Sequence, residues 1–598
     1  MAECTELENS PITLLPNEIL YIILKNNSCR EILNFGATCK RFHAVVNADQ
    51  SLWKEKLKKT SPPDVYNLTE KYGNGQWLKE IKRYFTVKHA VHAELLLMSS
   101  KYYWRTTEIS ILDIKEFFTL ALSYNSNHYY VVTTLKDIIN IGNECLSLNY
   151  NHRPYTLTEL YYAKIVLRYL TQTYFAIKWF QNRMRNVLTP ELVLNFFIEW
   201  IDTDRVHADE DIEATFRDMI EHVEKRYPRS FHPEYTVLEK VLKGFIRPSN
   251  LLAAVSDVIY RVNLILNREP ASLDTLDIPR VWQTRRGNII AVAVIFQAVA
   301  SRCGVHCELI AFPNHLFLEW RDPETPGVVY KIDPLSGSIS QKGRCPYSRR
   351  GALMRDDIKF CPDTFLQYIV TAFLMSMGAQ KSRSTLHARN LQDFLSTDCA
   401  EDNPYKYYQA FLLDYDNLPV MSITLNPLFL DDSHLKMLEH LMMITHSPAP
   451  VTRPAKVTAR NGDVKFAVGM ICYHQRYNYA CVILGWDPIC SIDMGNRQEF
   501  QSLRLGLKQT FYNVVAIDQS ERYVAQEYLI DVPNPNRLHH LEDVIAKYFT
   551  HYDGYCYVPN EELESEYPDD GPIRAVYKDK FELRNERLRA QAVAAQVN

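Results

Sequence analysis

The stretch TRRGNIIAVAVIFQAVASRCGV, residues 284–305, decides the reading of this chain. A polar, glycine-containing opening leads into an unbroken apolar run. The run falls short of the ~18 residues a membrane span needs, so it reads as a helix buried on every side. Downstream, FPNHLFLEW (312–320) and VVYKIDP (328–334) have the texture of strands. A buried helix followed by antiparallel strands makes 205–345 an α+β domain. Three positions stand out in it: Ile289 at the helix start, two residues after Gly287, and His315 and Asp333 on the strands. If Trp320 pairs with Val328, the register sets His315 opposite Asp333, with Cβ atoms about 4.5–5.5 Å apart. Cys303 lies fourteen residues beyond Ile289, roughly 21 Å along a helix, so its thiol does not reach that start.

The rest of the chain is mainly helical. At 598 residues it exceeds one core and predicts about three to five domains. Apolar residues make up 46% and charged residues 23%, a soluble globular balance, and the net charge of −4 gives no general attraction to polyanions. The 13 cysteines form no CxxC pair, and the start, MAECTELENSP, lacks a signal-peptide pattern. An intracellular, reducing setting follows, cytoplasm or nucleus. Cys303 and Cys307 flank His306, but no second pair stands at zinc-ligand spacing, so neither a metal nor a cofactor is expected. No GxxxxGK[ST] loop and no membrane-length apolar run is present.

The organisation reads as follows. Residues 10–58 form a compact helical unit, with Pro16 at the start of its first helix, CREILNFGATCKRFHAVV as its second and DQSLWKEKLKK as its third, capped by Asp49 or Ser51. Residues 60–204 are a helical spacer. LLAAVSDVIYRVNLIL (251–266) reads as one helix within 205–345, and helices return over 355–445. Proline-rich, aperiodic 446–462 is a linker. Residues 463–570 turn to short strands and predict a small β-barrel. Residues 571–598 read as an exposed charged helix.

Three segments resemble known families. Leu15-Pro16, Glu18, Ile19 and Leu20, then Cys39 and Phe42, then Leu52-Trp53, resemble an F-box in order and spacing. That resemblance implies a module docking on a Skp-type adaptor, itself joined to a cullin scaffold that carries a ubiquitin-conjugating enzyme, with these residues as the adaptor contacts. A small unit this rich in apolar residues is also expected to turn some toward a partner.

RRGNIIAVAVIFQAVASRCGVHCELIAFPNHLFLEW resembles the transglutaminase-like fold of SirB-type proteins. In catalytic members a Cys stands two residues after a Gly at the start of the central helix, where the helix N-terminus favours thiolate; a His and an Asp follow on neighbouring strands. Here that place falls on Ile289, whose side chain forms no acyl-enzyme. His315 and Asp333 then read as a triad remnant that stiffens a hairpin, and the domain as non-catalytic. The cleft is a candidate for gripping protein clients, with Arg285, Arg286 and His315 at its mouth.

Val468-Gly469, His474, Arg476-Tyr477, Gly485-Trp486-Asp487, Tyr512, Tyr523, Tyr557 and Pro559 resemble the YccV/HspQ type, whose members carry a hemimethylated-DNA-binding label. Residues 463–570 hold 8 Lys and Arg against 17 Asp and Glu, a formal −9 that opposes a phosphate backbone and argues against direct DNA binding. His474, Arg476, Tyr477 and Trp486 are the candidate client contacts. The ensemble reads as the substrate receptor of a ubiquitin ligase. Two alternatives stay open: a DNA-associated factor acting through the C-terminal domain, and a residual transglutaminase-fold hydrolase.

Overall fold

The computed structural model describes residues 11–341, 360–395 and 452–597, apart from 73, 106–108, 110, 124–126, 148–154, 204, 206–208, 228–231, 261–263, 269, 271, 313–314, 326, 378–382, 492–502 and 533–534. The expected helices of 396–445 lie outside the described residues.

The N-terminal unit is built from α1 (Asn17–Lys25), α2 (Cys29–Gly36), α3 (Lys40–Ala48) and α4 (Gln50–Thr60). The single helix expected over 29–46 is two. Cys39 adopts an extended conformation and its Sγ accepts from the Phe42 N–H at 3.5 Å, which starts α3 afresh. Ser28 and Glu31 form a reciprocal capping box that starts α2. Asp49 caps α4, its Oδ1 accepting from the Ser51 and Leu52 N–H groups at 3.1 Å. Leu24, Ile32, Val46, Leu52, Trp53 and Leu57 form the core, closed by Trp77, Leu78 and Ile81.

Those last three residues open α6 (Trp77–Tyr102), which follows α5 (Pro63–Tyr72). Then come α7 (Lys115–Leu122), α8 (Asn127–Ser147), α9 (Leu157–Met184) and α10 (Pro190–Ile201). These helices are no loose spacer. The chain divides into two compact units, Met1–Leu170 with Leu438–Asn598, and Thr171–Met437. In the first, Tyr103 and Leu157 belong to the same buried cluster as the C-terminal strands.

The second unit contains α10, α11 (Asp209–Glu224), α12 (Val237–Leu242), α13 (Pro248–Tyr260), α14 (Ile278–Thr284), α15 (Ile289–Arg302), α16 (Pro362–Met377) and α17 (Arg383–Leu395). The helix expected over 251–266 is described to Tyr260 and does not continue to 266, where β1 (Ile265–Asn267) pairs in parallel with β2 (Arg286–Asn288). The β-branched, aliphatic end of that segment is worth more in a strand pair than in a further helical turn. Strands β3 (Glu308–Phe312), β4 (His315–Arg321), β5 (Val329–Ile332) and β6 (Ile339–Gln341) form an antiparallel sheet in that order. Helix α15 is buried from Ile290 to Ala300 without a break, as its composition predicts.

The C-terminal module has β7 (Ile471–His474), β8 (Tyr479–Asp487), β9 (Phe511–Ala516), β10 (Glu521–Ala525) and β11 (Leu529–Asp531), in the order β10-β9-β8-β7-β11, and a hairpin of β12 (Phe549–Tyr552) with β13 (Tyr557–Pro559). A flat sheet of this size would hold its edges about 19 Å apart. Yet edges β10 and β11 are joined by Gln526–Tyr528 alone, a link of at most about 14 Å. The sheet is therefore curled, the barrel-like form expected, although its pairing order is open. Gly469, at φ 87°, lies where a Cβ would meet the Tyr557 carbonyl oxygen, so only glycine fits that crossing.

Two C-terminal readings change. Residues 452–462 of the expected linker are an extended strap with its own partners. The helix of the tail runs Asp570–Val597, and its first turns are packed rather than exposed: Asp570 is fully buried, with Tyr577 and Phe581 in the core.

Candidate functional site

Two kinds of residue share the N-terminal pattern. Leu20, Phe42, Leu52 and Trp53 are buried, and the Trp53 indole N–H donates to the Val46 carbonyl at 2.7 Å. As adaptor contacts these four are corrected: a module of short helices needs them for its own core. Leu15 and Cys39 are half-buried; Pro16, Glu18 and Ile19 are exposed. Beside them Leu14, Ile22, Ile23 and Leu33 also reach solvent, Leu14 at 78% and Ile22 at 60%. The exposed aliphatic residues of this module therefore include Ile12, Leu14, Ile19, Ile22, Ile23 and Leu33. Ile22 and Ile23, three and four residues after Ile19, share its side of α1, and that this side faces out is legible only from burial.

In the transglutaminase-like domain, Ile289 is the first residue of α15 and half-buried. The preceding Asn288 is fully buried; its Oδ1 accepts from the Ile290 N–H at 2.9 Å, and its Nδ2 donates to the Asn267 carbonyl at 2.9 Å. One amide therefore caps the helix and ties it to β1. Gly287 is needed because a Cβ there would come 2.8 Å from Val281. The sheet register corrects the expected His–Asp pairing. Trp320 lies opposite Tyr330, and Leu318 opposite Ile332. The slip is two residues: the β4–β5 ladder ends at Leu318–Ile332, Asp333 lies beyond the end of β5, and His315 pairs only on its other edge, with Phe312 of β3. The Asp333 carboxylate closes its own turn, accepting from the Leu335 N–H at 3.1 Å and the Ser336 hydroxyl at 2.9 Å. Burial pushes the neighbouring Tyr260 phenol up, and the Asp333 charge adds to it. Cys303 and Cys307 are buried, and desolvation lifts both thiols to about 12, so neither offers thiolate at neutral pH. Arg285, left-handed at φ 55°, lays its guanidinium 3.6 Å over the Trp282 ring, whose N–H donates to Asp218 at 2.6 Å; Arg286 is exposed on β2.

On the C-terminal module the structure brings three of the four candidates together. His474 is buried at the end of β7 with its ring stacked on Tyr477, Tyr479 and Tyr528, at 5.0, 4.8 and 5.5 Å. Its Nδ1 accepts from the Tyr477 N–H at 3.1 Å, and burial, with Arg522 and Arg476 nearby, holds its pKa below the ordinary histidine range. Tyr477 is 56% exposed, and exposed Arg476 lies over the Tyr477 and Tyr528 rings at 5.5 and 5.7 Å. Arg522 lies 4.3 Å over Tyr479. The result is a ledge of aromatic rings and guanidinium groups. Tyr479, Arg522 and Tyr528 were missed because strand pairing assembles them: Tyr479 lies opposite His474 in the β7–β8 hairpin, and β11, paired with β7, sets Tyr528 beside that turn. Trp486 is corrected: it is fully buried, and its indole N–H donates to buried Asp570 at 3.0 Å. Among the described residues no cluster of His, Cys, Asp and Glu is suited to a metal, and no helix is long and apolar enough to cross a membrane.

Comparison with known proteins gives these regions a class. Residues 12–59 match the family described as F-box-like, 210–367 the transglutaminase-like superfamily, and 464–556 the hemimethylated DNA-binding protein YccV like family. The chain thus carries regions that match F-box-like, transglutaminase-like and YccV-like domains, in that order. It is similar along nearly its whole length to F-box only protein 21: 25% identical to the Mus musculus protein over 94% of this chain and 92% of that one, and 24% identical to the Homo sapiens protein over 93% and 92%. No solved structure matches the chain significantly.

Proposed function

We propose that this chain is the substrate-recognition subunit of a Skp-cullin-F-box ubiquitin ligase in the cytoplasm or nucleus. In this reading the α1–α2 face docks on the Skp-type adaptor, the adaptor joins the cullin, and protein clients sit on the rest of the chain. Ubiquitin transfer happens elsewhere in the assembly; the receptor acts by raising the client lysine's effective concentration near the charged conjugating enzyme. The observation that carries the reading is the exposed row Leu14, Ile19, Ile22, Ile23 and Leu33 on a module whose core is already complete without it. An apolar face of that kind marks a partner.

The transglutaminase-like domain is, in the same reading, a non-catalytic grip. Ile289 stands in the nucleophile's place, Asp333 is engaged in its own turn, and Cys303 and Cys307 are protonated and buried. Arg285 and Arg286 near the α15 start, with His315, and the His474, Arg476 and Tyr477 ledge are the proposed client contacts. Reconstitution tests the proposal. The full chain, with adaptor, cullin and conjugating enzymes, is expected to drive ubiquitination of proteins that proximity labelling finds enriched on an Ile19→Asp/Ile22→Asp variant. No enrichment and no transfer would reject it.

A further inference from the structure

Helix α6 runs 26 residues from Trp77 to Tyr102, about 39 Å. Its two ends sit in different cores. Trp77, Leu78 and Ile81 complete the F-box-like core. At the other end Ser99 donates to Glu562 at 2.7 Å, and Tyr103, just past the helix, is buried in the cluster built by β7–β9. Between them Tyr84, Val87, Val91, Leu95 and Met98 keep one buried stripe at three- and four-residue spacing. Buried Glu80 accepts from Tyr130 of α8 at 2.8 Å, which fixes the helix against its neighbour.

A second fastening meets the first. The Arg453 N–H donates to the Trp104 carbonyl at 2.8 Å; its guanidinium lies 5.2 Å from the Tyr103 ring and pairs with Glu566 at 2.7 Å. The Thr458 N–H donates to the Glu566 carbonyl at 2.8 Å. Arg460 pairs with fully buried Asp570, which also accepts from Val468 and Trp486. The start of α9 adds Thr158 donating to the Phe549 carbonyl at 3.0 Å and Lys164 paired with Asp543 at 2.7 Å.

We infer that the F-box-like module and the YccV-like sheet are the two ends of one rigid arm, with α6 as its ruler and the 452–460 strap as its second fastening. Whatever the His474–Tyr477 ledge holds is then presented at a fixed reach from whatever the α1–α2 face docks on. A flexible tether between the same ends would spread the client over a volume and dilute its effective concentration; a stiff arm sets that concentration by geometry. The use of the arm rests on the receptor reading, but its stiffness does not.

Spin labels on non-natural ketone residues at exposed Lys58 and Gln475 of the full chain test it by pulsed dipolar spectroscopy. One narrow distance peak is expected, unchanged when adaptor is added. A broad or multiple distribution in the unmodified background overturns the arm, even if adaptor is captured normally. Tyr103→Ala with Arg453→Ala is expected to broaden the peak severalfold while adaptor capture stays within twofold. A peak unmoved by that pair overturns the second fastening.

Discussion

Helices α1 and α15 make opposite use of aliphatic side chains. On α1, Ile19, Ile22 and Ile23 face water although a complete core lies behind them. On α15, every residue from Ile290 to Ala300 is buried, including Gln297, and the only half-open position at its start is Ile289. The first helix leaves hydrophobic surface on the outside. The second is capped by Asn288 and turns its aliphatic side chains inward, with Ile289 at its start.

The sharpest way to break that contrast is thiol reactivity. Burial lifts Cys303 and Cys307 from the ordinary 9.0 to about 12, so at neutral pH their thiolate fraction falls about a thousandfold. Iodoacetamide should leave both unmodified in the folded chain and label a thiol installed by Ile289→Cys much faster. Fast labelling of either native cysteine would mean the domain holds an accessible nucleophile. Next in size is Trp53→Ala, which empties a fully buried site and orphans the Val46 carbonyl. It should cost about 3–5 kcal/mol and abolish adaptor capture by unfolding the module, a loss visible in thermal melts. Asn288→Ala, removing the cap and the tie to β1, should cost about 1–3 kcal/mol in denaturant titration. Arg476→Ala, on an exposed turn, should change stability by less than about 0.5 kcal/mol and act only on client capture.

The sequence carried the order of domains well because each is marked locally: Leu15-Pro16 and Leu52-Trp53 for the first, Gly287 and the apolar run for the second, Val468-Gly469 and Gly485-Trp486 for the third. It carried the site less well, for two physical reasons. Core and interface both demand apolar residues, so Leu20 and Trp53 could not be told from Ile19 and Ile22 until burial separated them. Strand register is set by turns, and a two-residue difference in the 321–329 turn keeps the same face pattern while moving Asp333 away from the place opposite His315. The ledge around His474 depended on the long-range pairing of β11 with β7, which sets Tyr528 beside the β7–β8 turn and which no local pattern reveals.

The central claim, that an exposed α1 face makes this chain an adaptor-bound receptor, is tested most directly by co-purifying the full chain with a Skp-type adaptor and measuring stoichiometry and Kd. The unmodified chain should hold one adaptor, and Ile19→Asp/Ile22→Asp should weaken binding at least tenfold, about 1.4 kcal/mol, with an unchanged melting temperature. Equal capture by the folded variant, or none by the unmodified chain, would contradict it.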